Sequence, residues 1–202
     1  MTENSQAEKA AVRAVKIALR SQVPEAEAAA AAASAAGHAV QLLGHLGHLA
    51  GKTVSLYMPI KGELDPRPLA GKLRDAGAIA ALPHVASDTV PMTFRTWLDT
   101  DPLEKGFGGI LEPSSSVPDV MPDIVIVPLA AFDRRGFRIG YGKGHFDRTL
   151  GPLARGVRPF LVGYAFALQE VDEVPRELHD VPLDAVVTET EIIHCNPARD
   201  GV

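Results

Sequence analysis

Long helical patterns alternate with short apolar runs along this chain. From Lys9 to Val23, Val12, Val15 and Leu19 recur at helical spacing and Pro24 follows, which predicts an amphipathic helix. Residues 25–49 are rich in alanine and predict a second helical region, expected to break or bend near Gly37. A short helix is predicted from Pro68 to Ala76, and the polarity of His145–Leu150 marks another helix start. The apolar runs read as strands at 52–58, ended by Pro59, then at 78–85, 92–97, 124–127, 160–166 and Ala185–Thr188. Residues 1–8 are expected to be frayed, and the proline- and glycine-rich 98–122 to hold little regular structure. A turn-rich segment, 171–189, carries His179 and Asp180. Strands separated by helical stretches predict a single domain of class α/β, a three-layer α/β/α sandwich with a mainly parallel sheet. The 92–97 strand is the exception, with membership of an antiparallel lobe as its alternative.

The candidate chemistry is concentrated in residues 124–150. A buried strand is followed by a loop with glycines at 136, 140, 142 and 144, with Lys143 between the last two, and then by a helix start. Strand, glycine-rich loop and helix together present backbone N–H groups to an anion. The spacing is not the dinucleotide fingerprint, because Gly140, Gly142 and Gly144 alternate. It is not the nucleoside-triphosphatase loop either, because no Ser or Thr follows Lys143. A tight connection needing positive φ is one reading, and a phosphate site with Arg138, Lys143 and Asp147 is the other. On the first helix Lys16 and Arg20 are four apart, with Arg13 three before Lys16. Such a row is either a solvated face or is directed at the same anion. Glu63 and Asp65 follow the first strand, where open α/β sheets bind ligands; a surface loop carrying them for solubility alone is the other reading. His38, His45 and His48 have no acidic residue or cysteine nearby and read as helix decoration, not metal ligands.

Composition narrows the class further. With 202 residues, 46% hydrophobic and 22% charged, the chain is an ordinary globular one. A net charge of -5 argues against a nucleic-acid surface while leaving room for a local basic pocket. One cysteine, Cys195, cannot form a disulfide within the chain. No run reaches the roughly 18 apolar residues of a membrane span, and the first residues lack a leader pattern, so a cytoplasmic protein is expected.

Four segments carry a family resemblance: YMPIKGELD (57–65), LPHV with MTF downstream (82–94), GGILEP (108–113), and VPLAAFDRRGFRIGYGKGHFDRTL (127–150). In order and spacing they resemble the 5-formyltetrahydrofolate cyclo-ligase family, also called methenyltetrahydrofolate synthetases, from about Lys16 to Glu189. The resemblance implies a Rossmann-like sandwich that uses ATP and Mg²⁺ to convert 5-formyltetrahydrofolate into 5,10-methenyltetrahydrofolate, releasing ADP and phosphate through a phosphorylated formyl intermediate. It implies nucleotide contacts from Lys16, Arg20 and the loop Arg138, Gly140, Tyr141, Gly142, Lys143, Gly144, His145, Phe146 and Asp147. Asp147 and Asp180 would be the Mg²⁺-associated acids, and Met58 and Glu63 would contact the reduced folate. A monomer or weak homodimer is expected, with no nucleic acid or membrane partner.

For such chemistry Lys143, Arg138 and Glu63 are the expected catalytic groups: a mobile charge, a two-oxygen clamp, and a carboxylate holding the formyl-bearing end. A folate ring needs a flat apolar slot, for which Phe94, Trp97 and Phe146 are the nearby aromatics, Phe146 bordering the loop. The chain departs from the family at His145 and Phe146, where two tyrosines are common, and at Pro66, where threonine is frequent. A non-catalytic folate- or nucleotide-binding regulator is the alternative function. A sugar-phosphate isomerase or acyl-CoA transferase relative is a third reading, on fold analogy alone.

Overall fold

The computed structural model describes residues 3–153, 158–175 and 180–195. Helix α1 spans Glu3–Arg20 and so begins six residues earlier than the apolar periodicity alone predicts. Helix α2 spans Glu25–His45 without the expected bend at Gly37. Its buried stripe, Ala32, Ala35, Ala36, Ala39, Leu42 and Leu43, runs unbroken past the glycine. An added Cβ at Gly37 would meet nothing within 4 Å, so the glycine lies off the packed face. Its helix penalty of about 1 kcal/mol is outweighed by the surrounding alanines. Helix α3 is Arg67–Asp75, and α4 is His145–Leu153.

The strands are β1 (Thr53–Ser55), β2 (Ile79–His84), β3 (Thr93–Thr96), β4 (Leu103–Lys105), β5 (Leu111–Pro113), β6 (Ile124–Pro128), β7 (Ala131–Phe132), β8 (Arg138–Ile139), β9 (Phe160–Tyr164), β10 (Ala185–Val187) and β11 (Ile192–His194). Seven of them form one sheet in the order β11-β10-β9-β6-β1-β2-β3. Strands β2, β1, β6, β9 and β10 pair in parallel, while β3 and β11 close the two edges antiparallel. The 92–97 run thus joins the main sheet as an antiparallel edge and forms no separate antiparallel lobe. Three features lie beyond the sequence expectations: the hairpin β4–β5 inside 98–122, the hairpin β7–β8, and the edge strand β11.

Period-two alternation explains the layers. Ile124 and Ile126 of β6 join the core beneath α2 and α3, whereas Val125 and Val127 join Leu150 of α4 on the other face. Each of these four side chains is almost wholly buried, a stabilisation of about 1.5–3 kcal/mol per side chain. Both faces of the sheet are covered, as a mostly parallel sheet requires. Helix α1 packs elsewhere, with Val12 against Ala131, Ile139 and Val174 around the β7–β8 hairpin.

This topology locates a crevice. From β1 the chain steps to β2 on one side, and from β6 it steps to β9 and β10 on the other, so the order reverses between β1 and β6. Loops leaving the C-terminal ends of these two neighbours separate there, opening a ligand cleft. The loop after β1 carries Met58 to Glu63, and the connection after β6 carries the glycines.

Candidate functional site

One face of α1 lies along that crevice. Lys9, Arg13, Lys16 and Arg20 follow each other at spacings of four, three and four, a single helical stripe. Lys9 pairs with Asp180 at 2.7 Å, and Arg13 Nε donates to the Gly140 carbonyl at 2.6 Å. Lys16 Nζ donates to the Leu168 and Glu170 carbonyls, both at 2.8 Å. Arg20, only 2% exposed, donates to the carbonyls of Lys61 at 3.1 Å and Leu129 at 3.0 Å, and to the Tyr141 hydroxyl. The expected basic pair, Lys16 and Arg20, therefore has its donors on scaffold carbonyls. Arg13 and Arg20 are the members of the stripe that reach the glycine loop, at the Gly140 carbonyl and the Tyr141 hydroxyl. The sequence held the signal, since Lys9 and Arg13 repeat the four-residue spacing of Lys16 and Arg20.

Arg20 joins the two sides of the crevice. Its guanidinium lies 5.4 Å from the Tyr141 ring centroid, and Lys61 covers the same ring at 5.5 Å. Lys61 adopts φ 50, and Gly62 follows at φ 70, a left-handed pair held by the Arg20 contact with the Lys61 carbonyl. The turn brings Glu63 inward, and Glu63 Oε2 accepts from the Ile60 N–H at 2.9 Å. Glu63 Oε1 is buried with no hydrogen-bond partner. Burial raises the Glu63 pKa above its ordinary value, opposed by the Ile60 N–H and by Tyr141 and Arg20. Burial and the nearby Glu63 charge likewise raise the Tyr141 phenol, which stays protonated. Met58 sits half-buried at the start of this loop, against the α2 core.

The glycine loop lies against Arg13 of α1. Gly142 at φ +86 would place a Cβ 3.6 Å from the Arg13 guanidinium carbon, and Gly144 at φ +66 would place one 3.0 Å from Arg148 Nη1. Both positions favour glycine for their positive φ. A Cβ at Gly140 would meet nothing within 4 Å. Arg138 extends from β8 and divides its fork between Asp147 Oδ1, at 2.6 Å, and the Val181 carbonyl. Asp147 and Asp180 are thus brought to one neighbourhood, Asp147 through Arg138 and Asp180 beside the carbonyl Arg138 holds. His179 lies outside the described residues.

The outer wall comes from elsewhere in the chain. Asp88, between β2 and β3, accepts from Lys143 Nζ at 2.8 Å and stands 3.2 Å from His145 Nε2. Phe107, in the tight turn of the β4–β5 hairpin, meets the His145 ring edge-on with centroids 6.4 Å apart. Burial and the Arg148 charge lower the His145 pKa, while Asp88 opposes them. Phe146 is partly buried against the second core. Phe94 and Trp97, considered for the aromatic slot, are 2% and 5% exposed, in the cores on opposite faces of the sheet. Phe94 is thus a packing residue here, while Asp88 and Phe107 occupy the rim. Neither stood out in the sequence, because loop residues that converge only through β2–β3 and β4–β5 leave no local pattern.

Among the described residues no cluster of three or more His, Cys, Asp or Glu side chains forms a cage for a metal ion. Asp147 and Asp180, the acids expected beside a phosphate-borne cation, are each paired here with a basic side chain, Arg138 at 2.6 Å and Lys9 at 2.7 Å. The open glycines and the surrounding cations fit the phosphates themselves. His38 and His45 of α2 and His48 just beyond it take no part, and His38 Nδ1 lies 2.9 Å from the Thr188 carbonyl. No helix among the described residues is long and apolar enough to cross a membrane.

Comparison with known proteins identifies the family. The model of the 5-formyltetrahydrofolate cyclo-ligase family matches residues 5–189, which takes in Lys9 and Arg13 as well as the later motifs. The 5-formyltetrahydrofolate cyclo-ligase of Escherichia coli is 37% identical over 145 residues, 69% of this chain and 79% of that protein. The Haemophilus influenzae enzyme of the same name is 35% identical over 138 residues, 65% of this chain and 73% of its own. The solution structure of Aquifex aeolicus 5,10-methenyltetrahydrofolate synthetase superposes with a TM-score of 0.78 at 29% identity, covering 95% of this chain and 94% of the other. The Mycoplasma pneumoniae 5,10-methenyltetrahydrofolate synthetase gives 0.71 at 25% identity, covering 90% and 98%. With a family match across nearly its whole length and relatives sharing both sequence and sheet topology, the chain belongs to the 5-formyltetrahydrofolate cyclo-ligase family.

Proposed function

We propose that the chain converts 5-formyltetrahydrofolate into 5,10-methenyltetrahydrofolate at the expense of ATP, with Mg²⁺. The observation that carries this reading is the shared crevice. An open, cation-lined glycine loop stands across Tyr141 from a buried carboxylate, Glu63, whose Oε1 has no partner. A phosphate-bearing ligand fits the first half and a polar heterocycle the second.

Bound ATP supplies a phosphoryl group that turns the formyl oxygen into a leaving group. The formyl oxygen bonds to the terminal phosphorus as the bond to ADP breaks. The neighbouring anilino nitrogen then attacks the formyl carbon, loses its proton, and expels that oxygen within inorganic phosphate.

The residues position and neutralise rather than react. The N–H groups of 140–144 and the charges of Arg13 and Lys143 orient phosphate oxygens, with Asp147 and Asp180 accepting the accompanying Mg²⁺. Arg138 holds Asp147 in place through its 2.6 Å contact. The unpartnered Glu63 oxygen accepts an N–H of the pterin and fixes the formyl group toward the loop. Arg20 and Tyr141 keep the two halves at a set distance. His145 and Phe146, where two tyrosines are common in the family, give the rim an imidazole and a ring without a hydroxyl.

Substrate labelled with oxygen-18 in the formyl group tests the scheme. One labelled oxygen in the released phosphate is expected. Unlabelled phosphate would exclude formyl phosphorylation.

A further inference from the structure

Along the crevice, the basic side chains considered above end on parts of the scaffold. Lys9 is on Asp180, Arg138 on Asp147, and Arg13, Lys16 and Arg20 are on carbonyls. Most of these contacts are shielded: the Arg138 side chain is 6% exposed, and Lys9 and Asp180 are 14% and 15%. Lys143 differs. It is 61% exposed, and its partner Asp88, 42% exposed, comes from an irregular loop 55 residues earlier. The same carboxylate faces His145, and Arg148 adds a further positive charge to its surroundings. One carboxylate therefore stands against the cationic outer side of the glycine loop, where a phosphate oxygen would otherwise sit.

We propose that Asp88 is an internal counter-anion of the glycine loop, which holds Lys143 in the ligand-free protein and is displaced when a polyphosphate binds. The proposal rests on the reading of this loop as a polyphosphate site. An exposed ion pair is weak, and a polyphosphate brings more charge and several acceptor oxygens to the same ammonium group. The exchange is therefore favourable, yet the carboxylate opposes each binding event by its own charge. Asp88 lowers affinity for any anion at Lys143 and confines the loop to ligands of high charge.

Binding of inorganic triphosphate and of ATP to the parent, Asp88→Asn, Lys143→Met and the double variant tests this by calorimetry. Asp88→Asn is expected to tighten triphosphate binding about two- to fivefold at low ionic strength, the range of an exposed pair. The gain should shrink in high salt and vanish in the Lys143→Met background. Unchanged or weaker binding by Asp88→Asn overturns the proposal, as does an equal gain without Lys143, which would make the effect a general charge change. If neither the parent nor any variant binds triphosphate or ATP, the reading of the loop as a polyphosphate site fails and Asp88 loses its role with it. Binding without the Asp88 effect leaves that reading intact.

Discussion

Arg13 Nε donates to the Gly140 carbonyl at 2.6 Å, joining the first helix to the glycine loop across 127 residues of sequence. The contact sets the height of the loop over α1 and leaves the remaining guanidinium N–H groups beside Gly142. Burial lowers the Arg13 pKa from its ordinary value, yet the group remains a cation at any working pH.

Replacing Arg13 by Gln removes a charge-assisted bond and a phosphate donor together. A loss of ATP affinity of about 10- to 100-fold is expected, from a hydrogen bond to a charged group worth about 1.5–3 kcal/mol. Calorimetric titration measures it. Lys16→Gln serves as the comparison and should change ATP affinity far less, since Lys16 ends on the Leu168 and Glu170 carbonyls.

Gly142→Ala forces a side chain into φ +86 and fills the space in front of Arg13. A left-handed non-glycine residue costs about 1–3 kcal/mol, so the melting temperature should drop by several degrees and ATP affinity should fall as well. Differential scanning calorimetry with and without ATP separates the two effects.

Lys143→Ala should reduce turnover at saturating ATP by about 10²-fold or more, the scale of losing one preorganised charge at a transferring phosphoryl group. Because Lys143 is exposed and contacts Asp88 alone in the wall, its melting temperature should stay near that of the parent. A turnover close to the parent's would take Lys143 out of the chemistry.

Glu63 links the site to stability. Its pKa is raised by burial above the ordinary 4.5, so in the window above 4.5 the folded chain holds more protons than the unfolded one. Stability then falls as pH rises through that window, and the penalty is absent below it. Glu63→Gln should flatten this slope and melt higher than the parent near neutral pH, while losing folate turnover. Melting curves from pH 4 to pH 8 check the sign; a parent whose stability instead rises with Glu63 ionisation would contradict it.

The parts of the fold that were legible share a physical cause. Ile124 to Val127 is a run of β-branched residues buried on both faces, and α2 carries a stripe of alanines continued by leucines, so local preference and burial agree. The hairpins β4–β5 and β7–β8 have strands of two or three residues, held by pairing partners and, at the first turn, by Gly108 and Gly109 at positive φ. Such strands are too short to show a period. Strand β11 exists because β10 offers an edge.

The positions of the glycine loop, Glu63 and the acids in the chain were legible because motif order carries them. Where each cation of the α1 stripe ends was not. Lys9 and Arg13 differ from Lys16 and Arg20 only in where the helix docks, and that is decided by Val12 packing against Ala131 and Ile139. Phe94 shows the opposite limit, since an aromatic near a motif belongs to whichever face β3 presents, and here it faces the core.

The most direct measurement is the absorbance of the methenyl product formed from 5-formyltetrahydrofolate, in the complete mixture with MgATP, without ATP, and with EDTA. Product in the complete mixture alone, with loss of product in the Glu63→Gln and Lys143→Ala variants, is the expected result. No product from a folded protein that binds ATP would contradict the proposed conversion and leave a crevice that binds these ligands without joining them.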